Sequence, residues 1–243
     1  MDRVNLAQFL YSAVNAKDDE LDYLHLFGKC ISNISKTTSQ NFQDIWVLHE
    51  LKDKRDGFFV EFGATNGFDC SNTYLLEKEY EWKGILAEPN PFWHDELFRN
   101  RNCYITTKCV YTVTDETISF NAVNSAADLS TIQGYGDTDE HSQIRENHSQ
   151  ISVKTISLLD LLKDFDAPKV IDYLSIDTEG SELDILKQFF TDNTEYQIRC
   201  ITAEHNNHLI QRFKIKELLE DHGYIRKYTE ISRWDDYFVK DIT

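Results

Sequence analysis

The sequence predicts an α/β fold: a mostly parallel sheet with helices on both faces, an antiparallel C-terminal edge and a helical cap ahead of it. Three observations lead there. After residue 57 short apolar runs alternate with amphipathic stretches, the texture of strands buried on both faces. Phe58-Phe59-Val60-Glu61-Phe62 runs into Gly63-Ala64-Thr65-Asn66-Gly67, a strand, a glycine turn and then a helix, as at the front of a nucleotide-binding sheet. Finally, apolar strands end in polar residues: Glu61, Glu88, Asp177 with Glu179, and Glu204 with His205 and Asn206. In open parallel sheets ligands bind outside those ends.

The elements follow in order. Apolar residues at helical spacing predict helices over Val4–Val14, Leu21–Ile34 and Phe42–Leu51, which assign residues 1–55 to a cap and 56–243 to the sheet-bearing domain. Strands are expected at Phe58–Phe62, at Gly84–Ala87 before Glu88, over Cys103–Thr112, and as a hairpin strand at Thr117–Val123. The polar stretch 124–150, with Gly134 and Gly136, reads as a long mobile loop. A helix over Leu158–Phe165 leads to the strand Val170–Ile176. Gly180 and Ser181 then open a helix, Glu182–Phe190, with Leu183, Ile185, Leu186 and Phe189 on one face. Arg199–Ala203 is the next strand; Tyr224–Ile231 and Tyr237–Val239 are close enough in sequence to form the antiparallel edge. Residues 207–223 carry no assignment.

Composition narrows the class. A formal charge of −17 over 243 residues argues against a nucleic-acid partner. No apolar run approaches the roughly 20 residues of a membrane span. Asn5 and Gln8 interrupt the apolar N-terminus, which makes a poor signal peptide. Five dispersed cysteines without a Cys-x-x-Cys pair suggest reduced thiols and a cytoplasmic location; Cys70, beside the glycine loop, reads as a small buried filler.

The glycine loop has the form Glu-x-Gly-x-x-x-Gly, with Asp69 just beyond. Carboxylates there would repel a pyrophosphate and would suit a ligand with a cationic end. S-adenosylmethionine brings an ammonium and a sulfonium beside its ribose, and Glu88 stands where a ribose needs a carboxylate. NAD, or a turn with no ligand, remains an alternative. An acid at a single strand end often only caps the following helix; convergence of several is the stronger signal.

The chain resembles the FkbM-type methyltransferases. The resemblance rests on Ser39-Gln40-Asn41-Phe42-Gln43-Asp44, Phe59-Val60-Glu61-Phe62-Gly63-Ala64, Ser71-Asn72-Thr73-Tyr74-Leu75-Leu76-Glu77, Glu88-Pro89-Asn90-Pro91, Ile171-Asp172-Tyr173-Leu174-Ser175-Ile176-Asp177-Thr178-Glu179-Gly180-Ser181-Glu182 and Glu204-His205-Asn206. It runs from about residue 39 to the C-terminus, and the block from Ile171 to Glu182 is its most specific part. The resemblance implies a Rossmann-like class I methyltransferase with a seven-stranded sheet. The implied activity is methyl transfer from S-adenosylmethionine to a hydroxyl of a small acceptor, a sugar or another metabolite. Gln40, Glu61, Gly63, Ala64, Asn66, Gly67, Ser71, Asn72, Glu88, Pro89 and Asp177 would hold the cofactor; Asp177, Glu179, Glu204 and His205 would serve catalysis.

An alcohol has to lose its proton during such a transfer. His205 is the candidate base, since imidazole titrates near neutrality; the alternative is a histidine that orients Glu204 or caps a helix. Asp177, Glu204 and Asn206 offer a competing device, oxygen ligands for Mg²⁺, similar to those of metal-dependent catechol O-methyltransferases. Gln40, Gln43 and Asp44 either close over the cofactor or form a capped helix start. His141 and His148 read as solvated, and Trp82, Trp93 and Trp234 as packing or edge aromatics.

Overall fold

Phe58–Phe62 is apolar but for Glu61, and the structure, a computed structural model describing residues 20–136 and 141–242, makes it the centre of the main sheet. The strands are β1 Phe58–Phe62, β2 Lys83–Ala87, β3 Tyr104–Thr106, β4 Cys109–Tyr111, β5 Thr117–Val123, β6 Thr131–Ile132, β7 His148–Ser157, β8 Val170–Ile176, β9 Gln197–Glu204, β10 Ile225–Lys227 and β11 Asp235–Val239. The helices are α1 Glu20–Asn33, α2 Gln43–Glu50, α3 Tyr74–Tyr80, α4 His94–Asn100, α5 Ser142–Arg145, α6 Leu158–Asp164, α7 Glu182–Asp192 and α8 Leu209–Asp221. Seven strands form the main sheet in the order β10-β11-β9-β8-β1-β2-β3, all running the same way except β11, which lies between β9 and β10 and is antiparallel to both. The expected helix Val4–Val14 lies outside the described residues.

Alternation along the central strands sends side chains to two cores. Val60, Phe62, Ile85 and Ala87 join Leu161 of α6, Ile185 and Leu186 of α7 and Ile215 of α8. Phe59 and Leu86 join Leu75 and Leu76 of α3, Ile45 and Trp46 of α2 and Leu26 of α1. The described helices of the cap are therefore a layer of the sheet's own core. Asp22 of α1 also accepts from the Tyr228 hydroxyl at 2.5 Å and lies 2.7 Å from His49 of α2.

Two expectations change. Cys103–Thr112 is not one strand. β3 closes the main sheet, whereas β4 crosses to a second, four-stranded sheet ordered β4-β7-β5-β6. Residues 124–150 are not one long loop either: they contain a 3₁₀ turn at Ala127–Leu129, β6, α5 and the start of β7, which pairs antiparallel with the whole of β5. The first three residues of β7 are polar and exposed, so pairing rather than burial defines its start. α8 was silent in the sequence for a similar reason: it buries only Ile215 and Leu219 and exposes Leu209, Ile210 and Phe213, which blurs any apolar stripe.

Candidate active site

The carboxyl ends of β1, β2, β8 and β9 and the start of β11 surround a cavity of about 520 Å³, with Cys109, Val110, Phe120 and Ile132 of the second sheet as its apolar wall. Gly63 sets the approach of β1 to β8. Its φ is +67°, and a Cβ there would stand 2.3 Å from the Asp177 carbonyl oxygen. Only glycine meets both conditions. Glu88, at the end of β2, accepts from the Thr65 and Asn90 amides at 2.9 and 2.7 Å. Burial pushes its carboxyl up to about 7 against those two hydrogen bonds.

Glu61 anchors the segment after the glycine loop. It accepts from the Asn72 amide at 2.7 Å, from the Ser71 hydroxyl at 3.0 Å and from the Thr73 hydroxyl. Arg101, a side chain with no exposure, lies beneath: Nη1 is 3.6 Å from Glu61, Nε donates to Glu77 at 2.6 Å, and the guanidinium also reaches the Gly67 carbonyl, Ser71 and Thr73. The sequence offered no signal for Arg101 beyond its charge.

At the ends of β8 and β9 the acids are crowded. Asp177, Glu179 and Glu204 each bring a carboxylate oxygen within 4.8 Å of the others. Burial raises Asp177 to about 8, with Asp235, Glu182 and Glu61 adding to the effect. Burial, then Asp177 and Glu179, hold Glu204 well above the carboxylate range. Glu179 is compensated: the Arg145 guanidinium donates to it, and the Asn206 amide donates at 2.8 Å. Glu204 Oε2 is buried without a partner, as is Asn72 Oδ1.

Of the predicted residues, Gln40, Glu61, Gly63, Ser71, Asn72, Glu88, Pro89, Asp177, Glu179, Glu204 and Asn206 lie on the cavity wall. Ala64, Asn66, Gly67 and His205 do not. Asn66 builds the turn, accepting from the Phe68 and Asp69 amides, and a Cβ on Gly67 would meet Arg101 at 2.6 Å. The expectation of His205 as the base is corrected by its orientation: Nδ1 accepts from the Asn207 amide at 3.1 Å, and Nε2 faces Asp236 at 3.7 Å. It borders a separate cavity of about 250 Å³ behind Glu204. Asp44 is also off the wall, buried beneath Thr37 and Ser39.

Several wall residues had other readings. Cys70 is exposed and on the wall, not a buried filler. Trp93 and Trp234 line the cavity, as does His141, whereas Trp82 packs in the core and donates to the Lys54 carbonyl. Asp235 was missed. β11 runs antiparallel, so its first residue rather than its last lies at the ligand edge; that direction was the signal available.

A sheet of this order, with the single reversed strand β11 next to its edge and a glycine loop and strand-end acids at its carboxyl side, defines the class I methyltransferase fold. The model of the methyltransferase FkbM domain matches residues 61–232, and the chain belongs to that family of S-adenosylmethionine-dependent methyltransferases. Among solved structures, it is similar to the precorrin-6y C5,15-methyltransferase of Geobacter metallireducens GS-15 at 14% identity, covering 81% of this chain and 85% of that one, with a TM-score of 0.43. It is also similar to the N-terminal domain of human METTL16 in complex with SAH at 12% identity, covering 97% and 95%, with a TM-score of 0.43. No curated protein matches the chain significantly.

Proposed function

We propose that this methyltransferase acts on oxygen, methylating a hydroxyl of a small acceptor, a saccharide or a similar polyol. One observation carries the reading: buried acceptor atoms without partners, Asn72 Oδ1 and Glu204 Oε2, belong to side chains on the wall of one cavity between the glycine loop and the strand-end acids. Those atoms await donors. Asn72, with Glu61 behind it, suits the cofactor's ammonium; Glu88 and Pro89 suit its ribose; Gly63 leaves room for its backbone approach; and Gln40 and Ser71 border the same end. When bound, S-adenosylmethionine supplies a methyl group on a positively charged sulfur. The protein's part is to hold an acceptor oxygen in line with that carbon, where positioning is worth roughly 7–11 kcal/mol, and to receive the hydroxyl proton.

The expected Mg²⁺ site fits in part. Asp177 and the unpartnered Glu204 oxygen suit a cation, whereas Asn206 turns its amide nitrogen to Glu179 and Arg145 already neutralises Glu179. A bound Mg²⁺ would lower the pKa of a coordinated hydroxyl. We read residues 1–55 as a cap and 56–243 as the methyltransferase unit. The five free cysteines fit a reducing, cytoplasmic setting, and no helix among the described residues is long and apolar enough to cross a membrane.

The test is calorimetric titration with S-adenosylhomocysteine and, separately, NAD⁺, each with Mg²⁺ and with EDTA. Micromolar binding of S-adenosylhomocysteine alone is expected, about −8 kcal/mol. Binding of NAD⁺ instead, or of neither, would sink the reading.

A further inference from the structure

Asp235 opens β11 and stands in register with Glu204 across the antiparallel pair. Its side chain is 6% exposed and lines the large cavity. Gln43 of α2 holds it. The Asn41 amide donates to Gln43 Oε1 at 2.9 Å, which fixes the orientation of the side-chain amide, so that Nε2 donates to Asp235 Oδ2 at 3.1 Å. The next residue shows the contrast that strand alternation produces. Asp236 faces away and takes Arg212 and Arg226, each at 2.8 Å, whereas among the described residues no Lys or Arg pairs with Asp235.

The wall as a whole restricts what can enter. It carries eight carboxylates and, among the described residues, no Lys or Arg. Glu61 and Glu179 are paired with Arg101 and Arg145 behind the wall, and no lining side chain offers a phosphate or carboxylate on the acceptor a Lys or Arg partner, in a site where screening is weak.

We propose that Asp235 is the acceptor's catalytic residue, accepting the hydrogen bond of the hydroxyl to be methylated and taking its proton, and that the acceptor is a neutral or cationic hydroxylated molecule. The proposal rests on the methyltransferase reading above. In the step, a bond forms between the acceptor oxygen and the methyl carbon; the sulfur–methyl bond breaks with its electron pair passing to sulfur; the hydroxyl proton ends on Asp235. A cationic sulfur and an anionic carboxylate both become neutral, so no net charge appears in the cavity.

The experiment follows labelled methyl transfer from S-adenosylmethionine to free hexoses, hexosamines and the phosphorylated forms of both, using wild-type protein, Asp235→Asn and Asp235→Ala. S-adenosylhomocysteine calorimetry accompanies each protein. Label is expected in neutral or amino sugars and not in phosphorylated ones. Asp235→Asn should lose about 100-fold or more in kcat with S-adenosylhomocysteine affinity within about twofold, and added formate should restore part of the turnover of Asp235→Ala. Label entering phosphorylated sugars equally well, or none of the panel, would overturn the acceptor class. An Asp235→Asn enzyme that keeps more than about one-third of kcat, or that loses turnover only in step with S-adenosylhomocysteine affinity, would overturn the role of Asp235. So would turnover abolished by EDTA, restored by Mg²⁺ and indifferent to Asp235→Asn. Wild-type protein that fails to bind S-adenosylhomocysteine would instead remove the underlying methyltransferase reading.

Discussion

Beneath the glycine loop and at the ends of β8 and β9, the protein buries carboxylates in opposite ways. Glu61 and Glu77 share one fully buried guanidinium, Arg101, and their oxygens are occupied by hydroxyl and amide donors. Asp177, Glu204 and Asp235 have no such cation among the described residues, and Glu204 has an oxygen with no donor at all. Buried charge is tolerated when it is paired and hydrogen-bonded. The first region is thus finished as structure and serves to shape the loop. The second is left without a compensating cation among the described residues, and its acids bind protons more tightly.

The sharpest way to break this comparison is to remove the guanidinium. Arg101→Met should destabilise the fold by about 3–5 kcal/mol, because it strands a buried carboxylate pair, as read from the urea unfolding midpoint. A loss below about 1 kcal/mol would mean the two regions do not differ. Gly63→Ala probes the boundary between them. The positive φ and the close Asp177 carbonyl predict strain of about 1–3 kcal/mol and S-adenosylhomocysteine binding weakened roughly 10-fold or more. Unchanged affinity would show that the loop can shift away from β8.

Stability against pH separates the regions more finely. Folding raises Glu88 to about 7, Asp177 to about 8 and Asp235 to about 6, so above the ordinary carboxylate range the native state binds more protons than the unfolded chain. Stability of the cofactor-free protein should therefore fall as pH rises from about 4.5 to about 8, by up to about 1.4 kcal/mol per pH unit for each group. Asp22, lowered to about 2, contributes in the opposite sense: its stabilisation is present above the unfolded value near 4 and is lost as pH falls towards about 2. Asp236 behaves likewise; although burial opposes it, the nearby His205 ring and hydrogen bonds from Arg212 and Ser232 hold its carboxyl low. Urea midpoints at about pH 5.5 and 8 check the balance; a higher midpoint at the higher pH would contradict the uncompensated reading of the second region.

Glu204→Gln should change stability at neutral pH by less than about 1 kcal/mol, since it replaces a carboxyl already held protonated with a neutral group of the same shape. A larger loss would reveal a partner for Glu204. The smallest effect is expected far from both regions: Lys216→Ala, which removes the exposed Lys216–Glu220 pair at 2.7 Å on α8, should cost under about 0.5 kcal/mol.

Much of this arrangement could be read along the chain because it is local. Strand-to-helix alternation, the glycines of the loop and the acids at parallel strand ends are fixed by neighbours in sequence, and they located most of the cofactor-side wall, from Gln40 through Glu88 to Asp177. The residues that escaped depend on direction and orientation. Asp235 is at the site because β11 reverses; His205 is away from it because its ring turns to Asp236; Arg101 matters because the fold brings it under a loop some thirty residues earlier. The sequence by itself determined the α/β class, the family and the set of strand-end acids, since these follow from periodicity and short motifs. Only the tertiary structure decided which acids are compensated and which face the cavity, because the pairing of charges, and with it the energy of burying them, is set by chains that meet in space.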